Sequence, residues 1–201
     1  MNKLSPAFYR RNDVAAIAKE LIGKIVVTIV DGNFTSGRIV ETEAYVAFID
    51  KASHAYNGKR TSRNEAMYGD AGTVYVYICY GLHNMLNIVT NEIDVPDAIL
   101  IRALEPLNGL DTMLERTNKK GVDNTLTKGP GNVAKALGIT KTFSGKALAD
   151  KIIICQDDFV YQENEIGSSK RIGIDSAGLD ALLPYRFFVR GNKNVSGRPV
   201  K

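Results

Sequence analysis

The residues best suited to chemistry lie in Arg38-Ile39-Val40-Glu41-Thr42-Glu43-Ala44-Tyr45. Here β-branched residues alternate with charged ones, the pattern of a half-buried strand. Side chains two apart on a strand share a face. Ile39, Glu41, Glu43 and Tyr45 are therefore expected on one side, and Val40, Thr42 and Ala44 on the other. The alpha carbons of the two glutamates would then stand ~6.5–7 Å apart. That order of separation lets an acid–base pair admit water, as in inverting glycosidases; both glutamates could equally be solvated strand-face groups. Tyr45, beside Glu43 on the same face, is placed to raise or aim its carboxylate.

Downstream come Asp50, Ser53-His54-Ala55, a basic loop Lys59-Arg60-Thr61-Ser62-Arg63-Asn64, and a tyrosine strand Thr73-Val74-Tyr75-Val76-Tyr77-Ile78-Cys79-Tyr80. Acid, aromatics, a histidine and positive charge in one stretch suggest hydrolysis of something flat attached to something anionic. A Ser-His-Asp triad from Ser53, His54 and Asp50 is excluded, because neighbours in a loop cannot assemble that geometry. His54 reads either as a structural hydrogen-bonding residue or as a ring that stacks on a base. Tyr75 and Tyr77 read as packing residues. Tyr80 precedes a glycine at an expected hairpin tip, where there is little core to enter, and suits a wedge between base pairs. Gly129-Pro130-Gly131 lacks the spacing of a phosphate-binding loop, so no nucleotide cofactor is assigned.

The elements that must position these groups are mostly strands. Asn12-Asp13 caps an expected helix over 14–22. Strands are expected at 24–30 and 36–45, joined about Asp31-Gly32. The stretch 46–70 reads as a functional loop with a short helix at 64–67. Further strands are expected at 73–79, 85–90, 98–104, 152–154, 171–174 and 185–190, with a turn at 80–83 and helices at 111–116 and 132–137. Strands outnumber helices and several pair as hairpins, so the sheet should be mixed or mainly antiparallel.

At 201 residues the chain is expected to form one domain, 1–201, with a sizeable core. A formal net charge of +4 tilts toward a nucleic-acid partner. The charge gathers near the carboxyl end, where Lys170, Arg171, Arg186, Arg190, Lys193, Arg198 and Lys201 face only Asp175 and Asp180. Cys79 and Cys155 stand far apart, and with two scattered histidines they assemble no zinc site. No metal is expected. The amino terminus lacks a signal peptide's apolar core and no run reaches membrane-spanning length, so a soluble, intracellular protein is expected, away from membranes.

Several of these segments together resemble the methylpurine-DNA glycosylase family, also called alkyladenine DNA glycosylase. They are Leu21-Ile22-Gly23-Lys24, the Arg38 to Tyr45 run, Ala52-Ser53-His54-Ala55, Arg60-Thr61-Ser62-Arg63-Asn64, Tyr75-Val76-Tyr77-Ile78-Cys79-Tyr80-Gly81, Arg102-Ala103-Leu104-Glu105-Pro106 and Gly129-Pro130-Gly131. The resemblance implies an α+β domain on a curved, largely antiparallel sheet, with a β-hairpin that enters the minor groove of DNA. It implies a monomeric, cofactor-free glycosylase that cuts damaged purines from double-stranded DNA, in the cytoplasm or nucleoid of a bacterium or the nucleus of a eukaryote. By the same resemblance Glu43 is the general base, and Arg102 with the main-chain carbonyl of Ile172 holds its water. Tyr45 and His54 sandwich the flipped base with Tyr77, Asn87 borders the pocket, and Tyr80 fills the gap in the duplex. Lys59, Thr61 and Arg63 meet the DNA backbone. The chain departs from the family at Ala47-Phe48, where a glycine and often a proline stand, and in the variable pair His83-Asn84. Two other classes are a non-catalytic damage-binding module, against which Glu43 and Arg102 argue, and a carbohydrate hydrolase using Glu41 and Glu43, against which the lack of tryptophan argues.

Overall fold

The computed structural model describes residues 1–197, so Arg198 and Lys201 of the basic set lie outside the described residues. The chain opens with a short strand, β1 (Asn2–Lys3), and two helices, α1 (Pro6–Tyr9) and α2 (Val14–Glu20). The Asp13 carboxylate accepts from the Ala16 N–H at 2.9 Å, which pairs one of the orphan donors at the start of α2. Next come β2 (Ile25–Val30) and β3 (Asn33–Tyr45). Asp31 and Gly32 between them take φ values of 52° and 76°, the left-handed pair that a tight hairpin of the right twist requires.

The remaining strands are β4 (Val74–Cys79), β5 (His83–Thr90), β6 (Asp97–Asn108), β7 (Ile152–Gln156), β8 (Ile166–Ser169) and β9 (Arg186–Val189). Helices α3 (Leu110–Thr117) and α4 (Pro130–Leu137) lie between β6 and β7. The strands form one sheet in the order β1-β7-β2-β3-β6-β5-β4, and β9 joins the far end of β3 and carries β8. Every ladder between these strands is antiparallel. The α+β class with a largely antiparallel sheet is thus as expected. The core joins Val14, Ile17 and Leu21 of the α2 region, Val133 and Leu137 of α4, and Ile39, Leu86, Ile88, Ile99 and Ile101 of the sheet. No helix among the described residues is long and apolar enough to cross a membrane.

Four expectations need correction. The segment 171–174 is irregular chain rather than a strand: Gly173 is left-handed at φ 75°, and the Arg171 side chain is drawn into the interior. The strand in that region is β8, whose glycine and serines carry little strand signal. The hairpin turn is shorter than 80–83, because His83 already pairs with Cys79. Strand β6 does not stop before Glu105-Pro106 but runs on to Asn108. Pro106 faces Gly37 of β3, and β5 pairs with β6 only as far as Leu100, so the missing N–H breaks no ladder bond there. Finally, the simple alternation along β3 fails. Ile39 pairs with Leu104 and Glu41 with Ala103, so Val40 is an extra residue, and Ile39 and Val40 both enter the core.

Candidate active site

A second bulge on the facing strand compensates the first. Glu41 pairs with Ala103 but Thr42 with Ile101, which leaves Arg102 as the extra residue on β6. A bulge bends its strand and re-aims the side chain it frees. Arg102 turns inward to the two glutamates: Nε donates to Glu41 Oε1 at 3.0 Å and Nη1 to Glu43 Oε2 at 3.1 Å. The paired bulges put carboxylates and guanidinium together under the sheet, where none has more than marginal exposure.

The two glutamates have different surroundings. Glu41 accepts from Arg102, from Arg186 Nε at 2.7 Å, and from the N–H and hydroxyl of Ser196 at 2.7 and 2.9 Å. Its acceptor capacity is filled by protein, and it is a structural anchor for the carboxyl-terminal segment. Glu43 accepts from Arg102, from the Tyr45 hydroxyl at 2.8 Å and from the Ile172 N–H at 2.8 Å. Burial pushes the Glu43 carboxyl above its ordinary value, against the pull of Arg102, the Ile172 N–H and the Tyr45 hydroxyl. With a raised pKa and three donors on its roughly four acceptor sites, Glu43 keeps room and basicity to accept a proton.

Beside Glu43 lies a pocket of about 200 Å³. Tyr45, His54, Tyr77 and Asn87 line it, with Arg63, Met67, Tyr75, Cys79, Gly173 and Ile174 among their neighbours. Glu43 has no exposed surface and sits one side chain behind, linked to the pocket through Tyr45. Burial lifts the Tyr77 phenol to about 12, helped by the charges of Cys79 and Glu43. His54 and Tyr77 meet edge to face with centroids 4.6 Å apart. Asn87 is held by its amide, which donates to the carbonyls of Tyr75 and Met85 at 3.2 and 3.0 Å.

The long loop 46–70 braces the pocket. The Asn64 amide donates to the carbonyls of His54 and Lys59 at 3.0 and 2.7 Å, and its oxygen accepts from the Thr61 N–H and hydroxyl at 2.7 and 2.9 Å. Ala55, Met67 and Tyr68 pack with Tyr75, Val89 and Ala98 in a small apolar cluster beneath. Lys59 and Arg63 remain exposed, while Arg60 is held by Glu65 and Asp94 at 2.6 and 2.7 Å. Phe48 is left-handed at φ 62°, the conformation a glycine would take without strain. Neither Ala47 nor Phe48 lines the pocket.

Three features escaped the sequence reading. Arg171, expected on a basic surface, is buried: it pairs with Asp50 through both terminal nitrogens, bonds the Ala44 carbonyl at 2.9 Å, and lies 4.7 Å from the Tyr45 ring centroid. Arg186 is likewise interior. Of the basic carboxyl-terminal residues described, only Lys170, Arg190 and Lys193 are exposed. The third feature is Leu82. Tyr80 and Leu82 both project from the β4–β5 hairpin, 87% and 79% exposed, with Tyr80 and Gly81 left-handed at φ 51° and 71°. Leu82 falls in the expected turn, but nothing in the sequence marked its side chain as projecting beside Tyr80.

The antiparallel sheet thus sets a buried carboxylate behind an aromatic pocket, linked to it through Tyr45. The chain belongs to the methylpurine-DNA glycosylase family, whose model matches residues 7–193. Curated relatives carry the name "Putative 3-methyladenine DNA glycosylase". That of Clostridium perfringens (strain 13 / Type A) is 42% identical over 203 residues, covering 96% of this chain and 98% of the relative. That of Desulfitobacterium hafniense is 42% identical over 204 residues, covering 98% and 99%. That of Natranaerobius thermophilus is 43% identical over 196 residues, covering 96% and 98%. The protein is therefore an enzyme, a DNA glycosylase.

Proposed function

We propose that the enzyme extrudes alkylated purines, and deaminated ones of the same shape, from duplex DNA into this pocket. A water activated by Glu43 then attacks the sugar carbon. The N-glycosidic electron pair leaves with the base, the water proton passes to Glu43, and an abasic site remains. The observation that carries this reading is Glu43 itself: a buried carboxylate with a raised pKa, held only by donors, directly behind the pocket's Tyr45 wall. Arg102 stays beside the carboxylate as it gains and loses the proton, and the Ile172 backbone lies against the same group, where its carbonyl can help hold the water. Every group named comes from one chain, so a monomer suffices.

The pocket volume favours a base over a sugar chain. At about 200 Å³ it falls below the ~300–1,000 Å³ usual for larger ligands. The same network argues against an acid–base pair of glutamates, because Glu41 is fully engaged. Tyr77 and Tyr45 already carry Arg63 and Arg171 at 5.7 and 4.7 Å from their ring centroids. Their attraction for a cationic base is thus partly engaged within the protein. Release assays on duplex oligonucleotides, each with one candidate lesion, test the reading; failure to release any damaged purine would overturn it.

The pH dependence follows from Glu43. Its pKa is raised above the ordinary 4.5, and only the ionised form can take a proton. Release should therefore fall as pH drops through a midpoint above 4.5, and this limb should persist in His54→Gln. The sign for stability is opposite. A carboxyl whose folded pKa is raised binds its proton more tightly when folded, so its contribution to stability is lost as pH rises through that value. A single-turnover pH profile checks the first point; an acid limb that disappears in His54→Gln would assign it to the histidine.

In this reading the exposed Tyr80 fills the gap left by an extruded base. Base–aromatic stacking contributes about 1–3 kcal/mol, so Tyr80→Ser should reduce release from duplex by about one to two orders of magnitude. On a single-stranded lesion, where little unstacking is needed, the loss should be small. Fluorescence of a stacking-sensitive base beside the lesion reports the extrusion step directly. Equal losses on single and double strands would rule out the wedge.

A further inference from the structure

Arg171 is buried, with Asp50 buried beside it. Both terminal nitrogens bond the Asp50 carboxylate; Nη1 also donates to the Ala44 carbonyl at 2.9 Å and Nη2 to that of Asp180 at 3.1 Å. The guanidinium carbon lies 4.7 Å from the Tyr45 ring centroid and 5.5 Å from that of Tyr185. Nε is buried with no partner among the described residues, which is costly. A buried ion pair usually adds little stability over apolar side chains of similar volume. Stability alone is therefore a poor account of this one, and its place is informative. Asp50 opens the stretch that gives the pocket Ala52 and His54, and its carboxylate accepts from the Ala52 N–H at 2.9 Å. Arg171 opens the stretch that gives the pocket Gly173 and Ile174.

The next residue is Ile172, whose N–H donates to Glu43 Oε1 at 2.8 Å. No strand ladder fixes that N–H: β8 ends at Ser169, Gly173 is left-handed, and Ile172 itself is 37% exposed. The Tyr45 hydroxyl, a second donor to Glu43, belongs to a ring that the guanidinium packs against. We propose that Arg171, pinned by Asp50, is a positioning residue that holds the Ile172 N–H and the Tyr45 hydroxyl on Glu43. The proposal rests on the reading of Glu43 as the base and deepens it. The guanidinium is a planar fork that meets a carboxylate with two parallel bonds, whereas a lysine carries the charge without the fork. With both donors slackened, the ionised form of Glu43 loses support and the carboxyl keeps its proton to a higher pH.

Arg171→Lys and Asp50→Glu test this, because each keeps both charges and spoils the fork. The other charged and titratable groups around Glu43 then act as before. They are Glu41 and Tyr45 of β3, Tyr77 of β4, Arg102 of β6, and Arg186 of β9, which pairs with Glu41. Carbon-13 spectra of the Glu43 side-chain carboxyl, assigned by its loss in Glu43→Gln, give its titration midpoint directly. That midpoint should move to higher pH in both variants. The acid limb of single-turnover release should move with it. On this limb the variants should lose roughly twofold to tenfold more than on the plateau, the size of one hydrogen bond. A residue that only stabilises the domain would lower the denaturant midpoint and leave the carboxyl's midpoint in place. An unmoved or lowered carboxyl midpoint in either folded variant overturns the proposal. So does failure of both variants to fold, which would make the pair a support of the whole domain. Failure of the underlying reading looks different: Glu43→Gln would keep its turnover, while the spectra would still report whether Arg171 holds the donors.

Discussion

Glutamine in place of Glu43 is expected to reduce base release by about 10²–10⁴-fold, the contribution typical of a positioned general base, while damaged DNA still binds. The amide keeps the shape of the side chain but cannot take a proton from water. It also has one acceptor oxygen where the carboxylate has two. It cannot satisfy Arg102, the Tyr45 hydroxyl and the Ile172 N–H together, so one donor is left unpaired and local stability falls modestly. The pocket wall itself is built by Tyr45, His54 and Tyr77 and should survive. Single-turnover release and a binding titration on the same lesion-bearing duplex separate the two effects. Near-normal turnover by a folded Glu43→Gln enzyme would remove the residue from the mechanism.

The strand carrying Glu43 was legible because local pattern governs it. Alternating β-branched and charged residues ending in Tyr45 specify a strand whatever lies beside it, and Asp31-Gly32 specifies the turn that precedes it. The bulges were not legible. An extra residue at Val40 and its counterpart at Arg102 reflect the fit of two strands to each other, and neither strand's own pattern announces them. Yet the bulges decide which groups meet Arg102.

Separation along the chain limited the rest. Arg171 reaches Asp50 across 121 positions, and Glu41 reaches Arg186 across 145 and Ser196 across 155. A cluster of basic residues near the carboxyl end looked like a surface for DNA because charge usually stays in water. Arg171 and Arg186 are inside because Asp50 and Glu41 are there to neutralise them, and only the fold reveals that. The exposed part of the basic loop, Lys59 and Arg63, needed no distant partner and was readable. The Tyr75–His54 contact lies between these extremes. Both residues were visible in the sequence, but pairing them required the loop 46–70 to fold back onto β4.

Glu41→Gln should have the largest effect on folding. Glu41 is wholly buried and carries Arg186, Arg102 and both donors of Ser196. Removing its charge leaves Arg186 inside with only neutral oxygens, those of Ser169 and Ser196. Breaking a buried ion pair by removing one partner costs about 3–5 kcal/mol, a large share of the ~5–15 kcal/mol that holds a typical domain together. Arg102 keeps Glu43 as a partner, so the Glu43 carboxylate should remain charged and placed in the molecules that stay folded. The expected result is a strongly lowered denaturant midpoint, with release per folded molecule falling far less than in Glu43→Gln. Arg186→Met combined with Glu41→Leu, which replaces the pair by apolar groups, should recover part of the lost stability. A Glu41→Gln enzyme that is as stable as wild type and yet fails to release base would reverse the assignment, making Glu41 the reacting carboxylate and Glu43 its support.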